Sequence, residues 1–431
     1  MDQDRAADQD IKAVEKPART NGGRLRMPRV HTFDSLAGRD FRLLWAGSFF
    51  DNVAIWLQLL SLGWLVYGLT GSVVLSGTVA GLRGLPTLFI GPWAGVVADR
   101  LDRRKLVIFF QVILAVLAGI FAVIVATDVV EWWHAFVYAA VTSVCFAFIM
   151  PIRQALVANT APPGNLGNAY ALSAMTITVN RLIGGMLGGL LITTVGIKWN
   201  FYVESGAYIL TALLLIPMRT PYAEPHTAGR ASVLKDLVEG MRYIWSDNRI
   251  ILHLMILSMI LTWVFLPIPA LLPAYASRVL NSEANVGGYL LAAQGVGGIA
   301  ATVGIATLGF VFGKGRLGLL ALITGSTAVL VLAQSNWLVL SLCMLVIFGI
   351  SQSCFIVSNN TLVQTLVPDT LRGRITSIYM LEHGLGPVAI FVIALFMDRY
   401  TVEGVLTVVG AVSVGISIIF FFAFKRVRGL A

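Results

Sequence analysis

The stretch Gly91-Pro92-Trp93-Ala94-Gly95-Val96-Val97-Ala98-Asp99-Arg100-Leu101-Asp102-Arg103-Arg104-Lys105 closes one apolar run, at 75–98, and opens another, at 105–126. Each run is long enough to cross ~30 Å of hydrocarbon as a helix. Between them Arg100, Arg103, Arg104 and Lys105 crowd four cations into six residues. Two apolar helices joined by a short basic turn form a membrane hairpin that keeps its turn on the cytoplasmic side.

The rest of the chain repeats this pattern. Of 431 residues 57% are hydrophobic and only 12% are charged, whereas a soluble domain carries about a quarter charged residues. That composition excludes a soluble enzyme and a soluble nucleic-acid-binding protein, despite a net charge of +9. The apolar runs predict twelve spans, at 41–68, 75–98, 105–126, 133–157, 168–194, 199–218, 249–275, 286–312, 317–334, 337–366, 375–397 and 402–424. The expected organisation is a disordered cytoplasmic tail at 1–40, a six-helix bundle at 41–218, a linker at 219–248, a second six-helix bundle at 249–424 and a short tail at 425–431. The first tail lacks the basic start and apolar run of a signal peptide. In the linker, Val233, Leu234, Leu237, Val238, Met241, Ile244 and Trp245 share one helical face, which predicts an amphipathic helix at the membrane surface or beneath the bundle.

The cations sort by side. With a cytoplasmic N-terminus, 24 of the 31 Lys and Arg fall in cytoplasmic loops and tails, and only Lys198, Arg278 and Arg399 fall on the opposite face. Both termini are therefore expected inside. Cys145, Cys343 and Cys354 lie within spans without CxxC spacing, so neither a disulfide framework nor a metal site is expected. An internal repeat is also visible: an offset of 211 residues lays Gly77 and Gly84 on Gly288 and Gly295, and an offset of 206 lays Leu156, Pro162 and Gly167 on Leu362, Pro368 and Gly373. Duplicated bundles around a midplane cavity are a common plan for secondary transporters.

The basic turn and its flank resemble the signature loop of the major facilitator superfamily, G-x-x-x-D-R-x-G-R-R-[KR], with Asp102 in place of the second glycine. Phe41-Arg42-Leu43-Leu44-Trp45, Trp64-Leu65-Val66-Tyr67-Gly68-Leu69-Thr70-Gly71-Ser72 and Gly91-Pro92-Trp93-Ala94-Gly95 are similar to the branch containing bacterial drug and macrolide-efflux proteins and the enterobactin exporter. Gly184-Gly185-Met186-Leu187-Gly188-Gly189 is similar to that branch's GPxxGG exporter motif, with Gly185 in place of proline and Asn180 in place of its upstream glycine. The same four glycines suit close helix packing of any kind. The resemblance implies an all-α fold of two six-helix bundles in a bacterial inner membrane, working as a monomer without a cofactor. It implies a cytoplasmic gate built on Gly95, Asp99, Arg100, Arg103, Arg104 and Lys105, and a cavity lined by spans 1, 4, 7 and 10. The matching cavity candidates are Gln58, Phe146, Met150, Trp263, Gln352, Phe355, Asn359 and Asn360. Apolar walls with a few amides suit a bulky amphipathic solute.

Ionisable groups inside spans cost several kcal/mol unless paired or hydrated, and so mark function. Asp51 lies about 15 Å into span 1, Arg83 about 22 Å into span 2 and Arg181 about 20 Å into span 5, with Glu382 at about 11 Å in span 11. These are the proton-coupling candidates, Asp51 exchanging the proton and Arg83 or Arg181 tuning it; a structural ion pair between helices is the alternative. The two arginines are equally suited to attract an anionic substrate. Arg42, Arg153, His253 and Glu204 fall near span ends, where snorkelling accounts for them. The expected function is secondary active efflux of an amphipathic small molecule, drug, macrolide or siderophore-like, coupled to protons. A lipid or lysolipid flippase and a metabolite importer share the fold, and a transport-dead receptor is the reading from another class. Gly309-Phe310-Val311-Phe312-Gly313-Lys314-Gly315 lacks the spacing and the Ser/Thr of a phosphate-binding loop, and no HExxH occurs, so neither an ATP-driven pump nor an intramembrane enzyme is expected.

Overall fold

A computed structural model describes residues 34–430, apart from 83, 85, 87–88, 91–100, 163–164, 220–240, 246–248, 309, 311–312 and 368–384. Its helices are α1 (Arg39–Thr70), α2 (Val73–Gly81), α3 (Arg103–Ala126), α4 (Trp132–Thr160), α5 (Leu166–Thr194), α6 (Lys198–Leu215), α7 (Arg249–Arg278), α8 (Ala284–Leu308), α9 (Lys314–Ala333), α10 (Leu338–Leu366), α11 (Gly386–Arg399) and α12 (Val402–Ala423). No strand occurs among the described residues. Nine of these helices are long and apolar enough to cross a membrane; α2, α6 and α11 are the shorter ones. α2 and α11 border undescribed residues, and α6 carries Lys198 and Glu204. Of the linker helix expected from the apolar face, only 241–245 is described and helical.

Local chemistry sets the helix ends. Asp102, the departure from the family's glycine, is the N-cap of α3 and accepts from the Arg104 and Lys105 amides at 3.0 and 3.3 Å. A carboxylate satisfies two of the free N–H groups at a helix start, a task glycine cannot perform. Gly71 ends α1 at φ +65°, a left-handed cap open to a residue without Cβ. α7 is interrupted by a π-helical turn, Leu261–Phe265. The prolines that follow, Pro267 and Pro269, have no N–H to offer the carbonyls of Trp263 and Phe265, which explains why the regular ladder fails there.

The buried apolar residues separate into clusters that follow the two halves of the chain. Two clusters lie within Phe41–Met218, and the largest runs from Ile244 to Val427 with Val73 as its one contribution from the other half. The halves meet along two seams. In one, α5 packs antiparallel on α8: Gly189 faces Gly288, Gly185 faces Leu291, and Leu182 faces Gly295. A Cβ at Gly288 would stand 2.5 Å from the Gly185 carbonyl oxygen. In the other, α2 packs on α11, with Gly77 against Ala394 and Gly84 against Pro387. The glycines matched by the 211-residue offset thus occupy equivalent places, each pair admitting a helix from the opposite half.

The antiparallel register also places the termini. Ser35 hydrogen-bonds Asn165 and Asn168 at the start of α5, and Leu430 accepts from the Gly315 amide at the start of α9. The start of α5 lies beside the end of α8, so both described ends of the chain share one end of the bundle.

Gly288→Ala is expected to lower stability by about 1–3 kcal/mol through overpacking of the seam, read as a lower melting temperature in detergent. Gly304, whose added Cβ would meet no heavy atom within 4 Å, serves as the control; Gly304→Ala is expected to melt at or slightly above wild type, because Ala favours helix.

Candidate substrate and proton site

Asp51 is completely buried on α1. Its Oδ2 pairs with Arg153 Nη1 of α4 at 2.6 Å, and its Oδ1 accepts from Gln111 Nε2 of α3 at 2.6 Å. Three helices thus converge on one carboxylate, about 18 Å from the start of α1. Among the described residues the cation paired with Asp51 is Arg153, and Arg181 has other partners. The expected span 4 ended at residue 157, whereas α4 continues to Thr160; Arg153 therefore sits two turns inside the helix and pairs instead of snorkelling. Arg83 and Glu382 lie outside the described residues.

Arg181 stands mid-way along α5, and its surroundings belong to both halves. Its Nη1 donates to Gln352 Oε1 of α10 at 2.7 Å, and its guanidinium lies 4.9 Å from the centre of the Trp56 ring of α1. Gln294 of α8 donates to the same Gln352 oxygen at 3.1 Å. Beside Arg181, Asn180 donates to the Phe49 carbonyl at 3.1 Å, so the residue replacing the motif glycine ties α5 to α1.

The cavity candidates divide. Met150 and Trp263 are exposed, and Asn360 is partly so. Phe146 and Phe355 are buried in the cores of their own halves, Gln58 donates to Thr142 Oγ1, and Asn359 donates to Ser258 Oγ at 2.7 Å. The sequence left open which helix face looks inward, and the side chains of Phe146, Phe355, Gln58 and Asn359 pack within their own bundle. Glu204 is likewise misread as snorkelling: it is fully buried and accepts from Tyr138 at 2.6 Å and Tyr208 at 3.2 Å. Tyr208 is one turn away on α6, a spacing visible in the sequence; Tyr138 comes from α4 and gives no such signal. An apolar groove of about 670 Å³ between α3 and α6, lined by Val112, Val116, Ile120, Leu213 and Ile216, faces outward from the bundle and is not the central site. No group of three or more metal-ligating side chains occurs among the described residues.

The family model described as transmembrane secretion effector, a branch of the major facilitator superfamily, matches residues 30–427. The chain belongs to the major facilitator superfamily. Its relatives include the staphyloferrin A transporter of Staphylococcus aureus, 22% identical over 90% of this chain and 97% of the relative. The enterobactin exporter EntS of Shigella boydii is 27% identical over 74% of each chain. Among solved structures, the nucleoside transporter NupG superposes with a TM-score of 0.69 at 15% identity, covering 91% of this chain and 99% of that one, which establishes the shared fold. Members of this superfamily are transporters, not enzymes.

Of the superfamily's signature loop, Gly95, Asp99 and Arg100 lie outside the described residues. Arg104 donates through Nε to the Leu215 carbonyl at 3.1 Å and through Nη2 to the Ile216 carbonyl. It satisfies free acceptors at the end of α6 and holds α3 to α6 within one half. Arg103 starts α3, and Lys105 is exposed. At the end of the bundle away from the termini, Arg278 of α7 donates to the Gly71 carbonyl, the Tyr67 hydroxyl and the Met397 carbonyl at 2.8, 3.2 and 3.2 Å. It lies 3.7 Å from Asp398, which also accepts from the Val73 amide at 3.3 Å. This latch joins α1, α2, α7 and α11 across the halves at that end of the bundle.

Arg153→Ala leaves the Asp51 carboxylate buried without its cation and is expected to cost about 3–5 kcal/mol, whereas the double variant Asp51→Asn with Arg153→Gln should cost less. Melting temperatures of the three proteins check the order. Arg278→Gln is expected to speed modification of a cysteine placed at Leu271, behind the latch, by a few-fold. Polar thiol reagents added from the far side measure the rate.

Proposed function

We propose that this chain is a twelve-helix, two-bundle exporter of a bacterial inner membrane, which expels an amphipathic small molecule, siderophore-like or drug-like, in exchange for protons. Its basic face, with both termini, is cytoplasmic; the loop counts of Lys and Arg support that orientation. The observation that carries the reading is Asp51, a carboxylate sunk into the bundle and held by one arginine and one amide. Proton uptake by Asp51 would remove its charge and release Arg153, altering the contact between α1 and α4 within the first bundle. Such a charge-dependent contact is what proton relays in transporters are made from. Two relatives carry names of siderophore transport, which supports a solute of that size. The far-side latch and the seams form the outer gate of an alternating-access cycle, and the signature loop forms its cytoplasmic counterpart.

Purified protein in proteoliposomes, challenged in turn with ethidium, erythromycin and an iron-free catecholate siderophore under an imposed pH gradient, tests this. Wild type is expected to concentrate at least one of them against its gradient. Asp51→Asn should lose gradient-driven accumulation while keeping exchange of the same solute without a gradient. Full gradient-driven accumulation by Asp51→Asn would overturn the proton role.

A further inference from the structure

The two best-described intramembrane cations are not equivalent. Arg153 is neutralised by Asp51 at 2.6 Å. Arg181 meets no carboxylate among the described residues: its guanidinium rests on the Trp56 ring, its Nη1 donates to the neutral oxygen of Gln352, and its buried Nε has no hydrogen-bond partner. It sits about 20 Å from either end of α5, where an uncompensated charge is costly. Gln294 adds a second feature. Its buried Oε1 has no partner among the described residues, and its amide shares the single Gln352 oxygen with Arg181. One neutral acceptor therefore serves two donors, one of them charged, at the place where α1, α5, α8 and α10 meet.

We propose that Arg181, beside Gln294, binds a carboxylate on the transported solute in place of the Gln352 oxygen, so that the substrates are amphipathic organic anions. This deepens the exporter reading and rests on it. A carboxylate offers a planar guanidinium two charged acceptor oxygens in place of one neutral one, and Arg–carboxylate hydrogen bonds are about twice as strong as neutral ones. The Trp56 ring centre lies 4.9 Å from the guanidinium carbon, and Nε is the donor left without a partner among the described residues. Displacing Gln352 from Arg181 frees its amide oxygen for Gln294 alone. Because Arg181 and Trp56 belong to the first half and Gln352 and Gln294 to the second, a bound anion touches both bundles and its arrival bears directly on their contact. A neutral analogue would leave the cation as it is and gain only apolar contact.

The test uses the full-length protein in detergent with matched pairs of aryl acids and their primary amides: indole-3-acetic and 2-naphthylacetic acids with their amides. Affinity is read from thermal shift as a function of ligand concentration. The acids are expected to bind at least about tenfold more tightly than the amides. Arg181→Gln should bring that ratio to about one while amide binding persists. Gln352→Leu keeps the cation, removes the competing acceptor and should bind the acids at least as tightly as wild type. Equal binding of acids and amides, absence of binding by all four compounds, an acid preference surviving in Arg181→Gln, or its loss in Gln352→Leu would each overturn the proposal. Equal acid and amide binding therefore defeats the anion site and leaves the proton reading standing, whereas gradient-driven transport by Asp51→Asn defeats the proton reading alone.

Discussion

Close approach of helices from opposite halves is the constraint on which the rest of this structure depends. In a bilayer no hydrophobic force drives helices together, so contact must come from tight packing and polar bonds. Gly185 and Gly189 on Gly288, and Gly77 and Gly84 on α11, supply surfaces without Cβ atoms, so that backbones meet directly. Because the offset glycines of the two halves perform the same task, one repeated device builds both seams. Buried apolar side chains crossing between the halves are few: Val73 joins the core of the second half, and Ala80 packs with Ala270 and Ile390.

Polar groups are then placed where the seams leave them. The far-end latch around Arg278 is partly exposed, so its ion pair contributes little by itself; its carbonyl and hydroxyl acceptors fix the geometry of four helix ends. Deeper in, Asp51 and Arg153 cancel one another inside the first bundle, and Arg181 is set across the interface against amides of the second. Charge is thus handled in two ways at similar depth: one site is self-neutralised, while at the other the described partners of the cation are neutral.

Much of this was legible in the sequence for definite reasons. Span positions follow from runs of apolar residues, and Val195-Gly196-Ile197 and Gln334-Ser335-Asn336 do separate helices where only a few polar or small residues interrupt the pattern. The depth of Arg153 was not legible, because Ala158, Asn159 and Thr160 extend α4 without any apolar signal. Nor were the burial of Glu204 and the inward-facing core positions of Phe355 and Asn359. These depend on which face of a helix meets its own bundle, and a helix that is apolar all round carries no stripe to announce it.

Proton exchange at Asp51 is proposed to drive the cycle, so the far end is expected to open and close with pH. Spin labels at Leu69, at the far end of the first half, and at Trp337, at the far end of the second, are both on exposed side chains. Their distance distribution, measured by pulsed dipolar spectroscopy across a pH series in nanodiscs, reads the gate directly. Two discrete distances are predicted, with populations that shift with pH in the wild type and do not shift in Asp51→Asn. A single short distance at every pH, or the same pH response in both proteins, would contradict the account.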